Sequence, residues 1–196
     1  GVQTCALPIW ADQHCMQDHV VYLANSSGLK VGLTRSSQLP TRWIDQGATQ
    51  AVIIARLENR YQAGLLEVMC KRYIKDRTDW RAMLKNKPEG IDLHKARDDL
   101  YEKIAPEFIK FKEQHSIGNR ENKLTWCVGE QGEPVQEIEY PVQTYPDKVT
   151  SISLEKIAKV TGKLQGIKGQ YLILDTGVIN LRKYTGYKVR VSVTAA

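Results

Sequence analysis

The chain has 196 residues, 42% of them hydrophobic, and a formal net charge of +6. That is apolar content for one medium core or two small ones, and no apolar run is long enough to span a bilayer, so no membrane partner is expected. Charge is segregated: residues 30–87 hold 12 Lys or Arg against 5 Asp or Glu, residues 148–190 hold 9 against 2, and residues 89–139 hold 7 against 12. Two basic blocks flanking an acidic one predict two phosphate-facing surfaces joined by a solvated spacer, with nucleic acid as the partner; a lysine-rich surface serving only solubility has the same composition.

Back-translated, GVQTCALPI at residues 1–9 matches the read-end of a short-read sequencing adapter. The reading is that 1–9 are an assembly scar and that the native N-terminus is missing. In residues 10–19, His14, Cys15 and His19 form HCxxxH. That spacing suits two or three zinc ligands, with further ligands expected upstream. Cys15, Cys70 and Cys127 are scattered and make no disulfide framework, which points to a reducing cytoplasm.

Residues 20–88 read as a small sheet with helices. Val20–Ala24 and Leu29–Leu33 are β-prone runs around Asn25-Ser26-Ser27-Gly28, a hairpin whose Asn and Gly tolerate positive φ. Pro40 starts a short helix, Thr41 to Gly47, closed by Gly47. Ala51–Leu57 is a further strand. In YQAGLLEVMCKRYI the residues Leu66, Met69, Cys70, Tyr73 and Ile74 share a helical stripe, with Glu67 at its border. Residues 89–121 read as a charged helical spacer, helical over 91–115 and interrupted at Pro106. Residues 122–196 read as a C-terminal β-domain, an antiparallel sheet or barrel with strands at 124–128, 138–145, 149–154, 170–175, 178–181 and 187–193. The fold class is therefore α+β.

The order hairpin, Arg-bearing helix, strand, Glu-bearing helix resembles the GIY-YIG nuclease fold. The residues carrying the resemblance are Tyr22 in VVYL, Gly32 in KVGLT, Arg42 in PTRW and Glu67 in AGLLEVM, with Lys30 standing where the second motif has Tyr. The resemblance implies a Mg²⁺-dependent endonuclease in which Glu67 holds the metal, Tyr22 assists proton transfer, and Arg42 with Lys30 stabilises phosphate charge. Arg35, at the end of the same motif, would add a phosphate contact. Over residues 10–193 the chain is also similar to a bacterial family known only as a domain of unknown function, through HCMQDHVVYLANSSGLKVGLTR, PTRWIDQGATQA, DRTDWRAML and GKLQGIKGQYLILDTGVINLRKYTGYKV; because longer members of that family carry a Cys-rich segment upstream, the resemblance implies that residues 10–19 are the remnant of a Cys/His-rich N-terminal segment.

In the C-terminal block, Lys163, Lys168, Arg182 and Lys183 lie among Tyr171, Tyr184 and Tyr187, the composition of a single-strand-binding sheet or of ordinary core packing. GIKG at 166–169 has the form of a phosphate-clamping GxxG loop, but its flanks are β-prone, so a turn is expected. Trp43 and Trp80 read as core anchors. Three functions fit: a nucleic-acid-binding endonuclease, a noncatalytic nucleic-acid-binding or regulatory module, and a protein-interaction scaffold.

Overall fold

The computed structural model describes residues 12–86, 90–115, 125–127 and 132–193. The adapter-like stretch lies outside these residues. Strand β1 (His19–Asn25) is the centre of the first sheet, antiparallel to β2 (Leu29–Arg35) on one side and β3 (Gln50–Leu57) on the other. Every residue of β1 is buried, because both faces of the sheet are covered; this is why the strand reads as a continuous apolar run rather than an alternating one. The β1–β2 turn is the predicted hairpin, with Gly28 at φ 121° and its N–H donating to Asn25 Oδ1.

Helix α1 (Thr41–Asp45) covers one face. Gly47 ends it at φ 68°: its N–H bonds back to the Ile44 carbonyl and the Ala48 N–H to the Trp43 carbonyl, the paired bonds of a Schellman stop. Val20, Tyr22 and Ala24 of β1 pack there with Trp43, Ala48 and Ile53. Val21 and Leu23 face the opposite side, against helix α2 (Arg60–Cys70) and a long helix after it. Of the stripe predicted for α2, Leu66, Met69 and Cys70 are buried, whereas Tyr73 lies beyond the helix end and is exposed.

A short helix α3 (Trp80–Leu84), capped by the Asp79 carboxylate, precedes α4 (Leu93–His115). Helix α4 differs from the expected spacer in two ways. It runs unbroken through Pro106, and its residues Leu100, Ile104, Phe108 and Phe111 are buried in the main core beside Trp126. Four apolar positions at near-helical spacing outweigh the missing N–H at Pro106, while the charges other than the buried Arg97 lie away from that stripe.

The C-terminal third is less sheet-rich than expected. Strands β4 (Thr125–Trp126) and β5 (Gln136–Glu137) both pair with the outer edge of β3 and so belong to the first sheet. Among the described residues, β6 (Leu164–Lys168), β7 (Tyr171–Leu174) and β8 (Gly177–Asn180) alone form a second sheet, a three-stranded meander and no closed barrel. Residues 138–145 and 149–154 make single bridges, Val142 to Gly166 and Ser151 to Val178. Pro141 removes a donor from the first of these stretches, and Pro146 follows its end. Residues 187–193 form no strand; Val191 and Val193 are exposed, and β propensity without a covering layer does not make one.

The meander packs on the first sheet's helices. Met83 and Leu84 of α3 share a core with Ile173 and Val178, and Trp80 stacks on Tyr171 at 5.6 Å between ring centres. Gly169 sits against the α1 stop: a Cβ there would lie 3.1 Å from the Asp45 carbonyl oxygen.

Candidate functional site

Five of the predicted residues converge at the edge of the first sheet. Tyr22 and Gly32 are direct register partners across β1 and β2, as are Ala24 and Lys30, so Tyr22, Gly32 and Lys30 share one face. The Tyr22 ring lies across Gly32: a Cβ at Gly32 would stand 2.7 Å from the phenol oxygen. Only glycine leaves room for the ring. Trp43 braces its other side, edge to face at 5.9 Å.

Arg42 and Gln46 are four residues apart at α1 and so project together. The Tyr22 hydroxyl donates to Gln46 Oε1 at 3.0 Å, and the Arg42 guanidinium is near enough to the phenol to act on its pKa. Burial pushes the Tyr22 pKa above its ordinary value; Arg42 and Gln46 oppose that shift, and the nearby Glu67 carboxylate adds to it. The phenol is therefore held protonated at neutral pH.

Lys30 is 5% exposed, and its ammonium donates to Thr78 Oγ1 at 2.9 Å. Burial first, and then the Arg42 charge, lower its pKa to about 8 against the pull of Asp76. Lys30 and Arg42 are thus like charges close enough to disfavour one another, which a nearby anion would relieve. Glu67, on α2, meets Lys71 at 3.1 Å, and the same ammonium meets Asp76 at 3.2 Å. Burial alone would lower the Lys71 pKa, but hydrogen bonds to Glu67 and Asp76 reverse this and hold it above its ordinary value. Gln46, Lys71, Asp76 and Thr78 were not singled out from sequence. Gln46 and Lys71 were findable as i+4 partners of Arg42 and Glu67; Asp76 and Thr78 lie in a loop that carries no such signal.

The remaining predicted residues lie elsewhere. Arg35 ends β2 opposite His19, far along the strand from Lys30. His19 is buried and its Nδ1 lies 2.6 Å from the Gln17 carbonyl oxygen; burial lowers its pKa. Cys15 is buried and its sulfur is in a disulfide. No group of three or more His, Cys, Asp or Glu poised for a metal occurs among the described residues. Lys163 and Arg182 are exposed, and Lys183 is exposed beside Glu155 at 3.5 Å. Lys168, read from sequence as a phosphate contact, is turned inward instead: it is fully buried, donates to Asn86 Oδ1 at 2.7 Å, and faces the rings of Tyr140 and Tyr145. Tyr184 is buried with its hydroxyl accepting from the Leu154 N–H, and Tyr171 is stacked on Trp80, so both serve packing. Gly166 to Lys168 of the GIKG run are strand and Gly169 begins a turn, which is the non-clamp outcome.

Fold and site together define an α+β protein with Tyr, Lys, Arg and Glu gathered at one edge of a small antiparallel sheet. The chain belongs to the family described as protein of unknown function (DUF2797), whose family model matches residues 2–189. No curated protein and no solved structure matches it. No helix among the described residues is long and apolar enough to cross a membrane.

Proposed function

We propose that the chain binds nucleic acid at the β2 edge and cleaves a phosphodiester there with Mg²⁺, as its resemblance to the GIY-YIG fold suggests. The observation carrying this reading is the convergence of Tyr22, Lys30, Gly32, Arg42 and Glu67 from four separate elements. Structural needs alone do not call for two like charges close enough to act on one another beside a buried phenol.

The donor set fits a magnesium ion that keeps most of its waters: Glu67 supplies one partly accessible carboxylate, and substrate phosphate would supply more oxygen. When bound, such an ion polarises the phosphoryl oxygen and lowers the pKa of a water. Arg42 and Lys30 orient the phosphate and neutralise charge as it builds on the phosphorane. Tyr22, held protonated and hydrogen bonded to Gln46, would assist proton transfer. Zinc at His14, Cys15 and His19 is a separate expectation that needs Cys15 reduced and at least one further ligand.

The test is Glu67→Gln, which removes the metal carboxylate but leaves both cations. Cleavage of DNA or RNA should fall at least 100-fold with binding nearly unchanged. Cleavage that persists places the chemistry elsewhere. One observation favours a noncatalytic module: Lys71 already neutralises Glu67. In that reading the wild type binds nucleic acid with a steep salt dependence and cleaves nothing.

A further inference from the structure

Residues 75–79, in the loop between α2 and α3, are tied to the β1–β2 hairpin at both ends. The Val31 N–H donates to the Lys75 carbonyl oxygen at 3.1 Å, and the Asp79 N–H donates to Ser27 Oγ at 2.9 Å. Between these ties Thr78 Oγ1 lies 2.9 Å from Lys30 Nζ and 3.1 Å from Ser26 Oγ. Thr78 is half-buried, whereas Lys30 and Ser26 are only 5% and 3% exposed. The run DRTDW at 76–80, part of the family resemblance, thus brings one reachable hydroxyl to a buried ammonium and a buried hydroxyl.

Proton accounting fixes how these three groups are oriented. A hydroxyl has one hydrogen to give and two lone pairs to share, and an ammonium can only donate, so Lys30 donates to Thr78. If Thr78 in turn donated to Ser26, the hydrogen of the buried Ser26 would have no acceptor among the described residues. If Ser26 donates, both buried donors are satisfied, both Thr78 lone pairs are taken, and the Thr78 hydrogen is left for the solvent side. We infer that Thr78 is the group of this cluster that meets a phosphate oxygen, donating its hydroxyl hydrogen, and that Lys30 acts through it as a positioning residue. A phosphodiester oxygen suits that hydrogen because it only accepts and is negative, and the ammonium behind Thr78 polarises the O–H toward it. A cation finds no free lone pair on Thr78. The inference rests on the nucleic-acid reading of the site, though not on cleavage.

The charged groups acting on Lys30 are Arg42 from α1 and Asp76 from the loop. Tyr22 of β1 and Lys71, which holds Asp76, both have pKa values above their ordinary ones and keep their protons near pH 8. Affinity for an anion should therefore weaken as pH rises through about 8, where Lys30 loses its charge. The experiment measures binding of a short rhodamine-labelled single-stranded DNA to the full chain by anisotropy across that range. Thr78→Val, nearly the same shape, should weaken binding about tenfold at neutral pH. It should also move the midpoint below that of the wild type, because the buried ammonium has lost its acceptor, and Thr78→Ser should restore both. A variant that merely loosened the loop would do the reverse: Lys30 would hydrate and the midpoint would climb toward 10.5. Such a climb, or wild-type binding by Thr78→Val where Arg42→Ala binds poorly, overturns the inference alone. Inorganic phosphate is the second probe. Displacement of the strand by micromolar phosphate, lost in Thr78→Val, would keep the Thr78 contact and overturn the nucleic-acid reading; no binding of either probe by the wild type overturns both.

Discussion

Two lysines are buried among the described residues, and their surroundings differ in kind. Lys30 lies at the β2 edge among other charges, with Arg42 lowering its pKa and Asp76 raising it. Lys168 lies where the meander meets the first sheet, against Asn86, Tyr140 and Tyr145, and burial alone lowers it to about 8. The first cation is left with an excess of positive charge that a ligand would balance. The second is satisfied by amide and aromatic groups and asks for no ligand. Burial of a lysine is therefore no pointer to function by itself; an uncompensated neighbour of the same sign is.

The comparison presumes that both lysines sit on one well-packed scaffold, and the largest expected effect tests this. Phe108→Ala empties a position of α4 packed against Trp126, Tyr101 and Phe111. A buried Phe-to-Ala change costs about 3–5 kcal/mol, enough to unfold much of a marginally stable domain. Denaturant unfolding should show that loss; a loss below about 1 kcal/mol would mean that α4 is a detached spacer after all.

Next in size is the pH dependence of the Lys168 contact. Its folded pKa of about 8 lies below the unfolded value of 10.5, so between those pH values the unfolded chain holds more protons. Stability contributed by this group must then rise with pH across that window, its penalty being full below pH 8 and relieved by pH 10.5. The shift corresponds to something on the order of 3 kcal/mol. Lys168→Met removes the titration but keeps the length. Measured side by side, the wild type should gain on the variant from pH 8 to 10.5, while common contributions such as the raised Cys70 thiol cancel. Parallel curves would show that Lys168 is not buried as charged and that the contrast with Lys30 is unfounded.

Smaller again is Gly32→Ala, which places a Cβ 2.7 Å from the Tyr22 oxygen and 2.8 Å from Cζ. Overpacking of this kind costs about 1–3 kcal/mol. Because the oxygen is one of the two clashing atoms, Tyr22→Phe should recover part of the loss in a double-mutant cycle. Strict additivity would show that Tyr22 does not lie over Gly32.

How much of this was readable in the chain depends on how local the cause is. The hairpin was legible because Asn25 and Gly28 carry their turn chemistry within four residues, and the α1 stop because Gly47 alone can take its φ. Tyr22, Arg42 and Glu67 were legible only as an ordered set through a resemblance; their convergence depends on three elements folding onto one edge. The packing of α4 was hidden because its charged residues dominate composition while the stripe from Leu100 to Phe111 carries the energy. The pairing of β4 and β5 with β3 was hidden because two-residue strands have no periodicity and their partner is some 70 to 85 positions upstream. Lys168 looked like a surface cation because its enclosure is assembled from residues 86, 140 and 145, none of them near it in sequence.

The smallest effect on stability is the most informative about the site. Lys71 bridges Glu67 and Asp76 with its side chain 34% exposed, and a surface pair of this type contributes about 0.3–0.5 kcal/mol, so Lys71→Ala should hardly move the unfolding midpoint. Its effect on the two carboxylates is another matter. Without the shared ammonium they repel, and a divalent cation becomes the natural replacement. If Glu67 is a magnesium ligand, Lys71→Ala should bind the ion several-fold more tightly by calorimetry, and half-maximal cleavage should need less of it. Glu67→Gln in the same background should abolish that gain. If Lys71 is instead the permanent counter-ion of a site that binds phosphate and cleaves nothing, Lys71→Ala gains neither magnesium nor activity. Two bare carboxylates then face the incoming phosphate, and nucleic-acid affinity falls. The two outcomes have opposite signs, so one substitution on the exposed end of α2 separates an enzyme from a binding module more cleanly than loss of activity at Glu67 can.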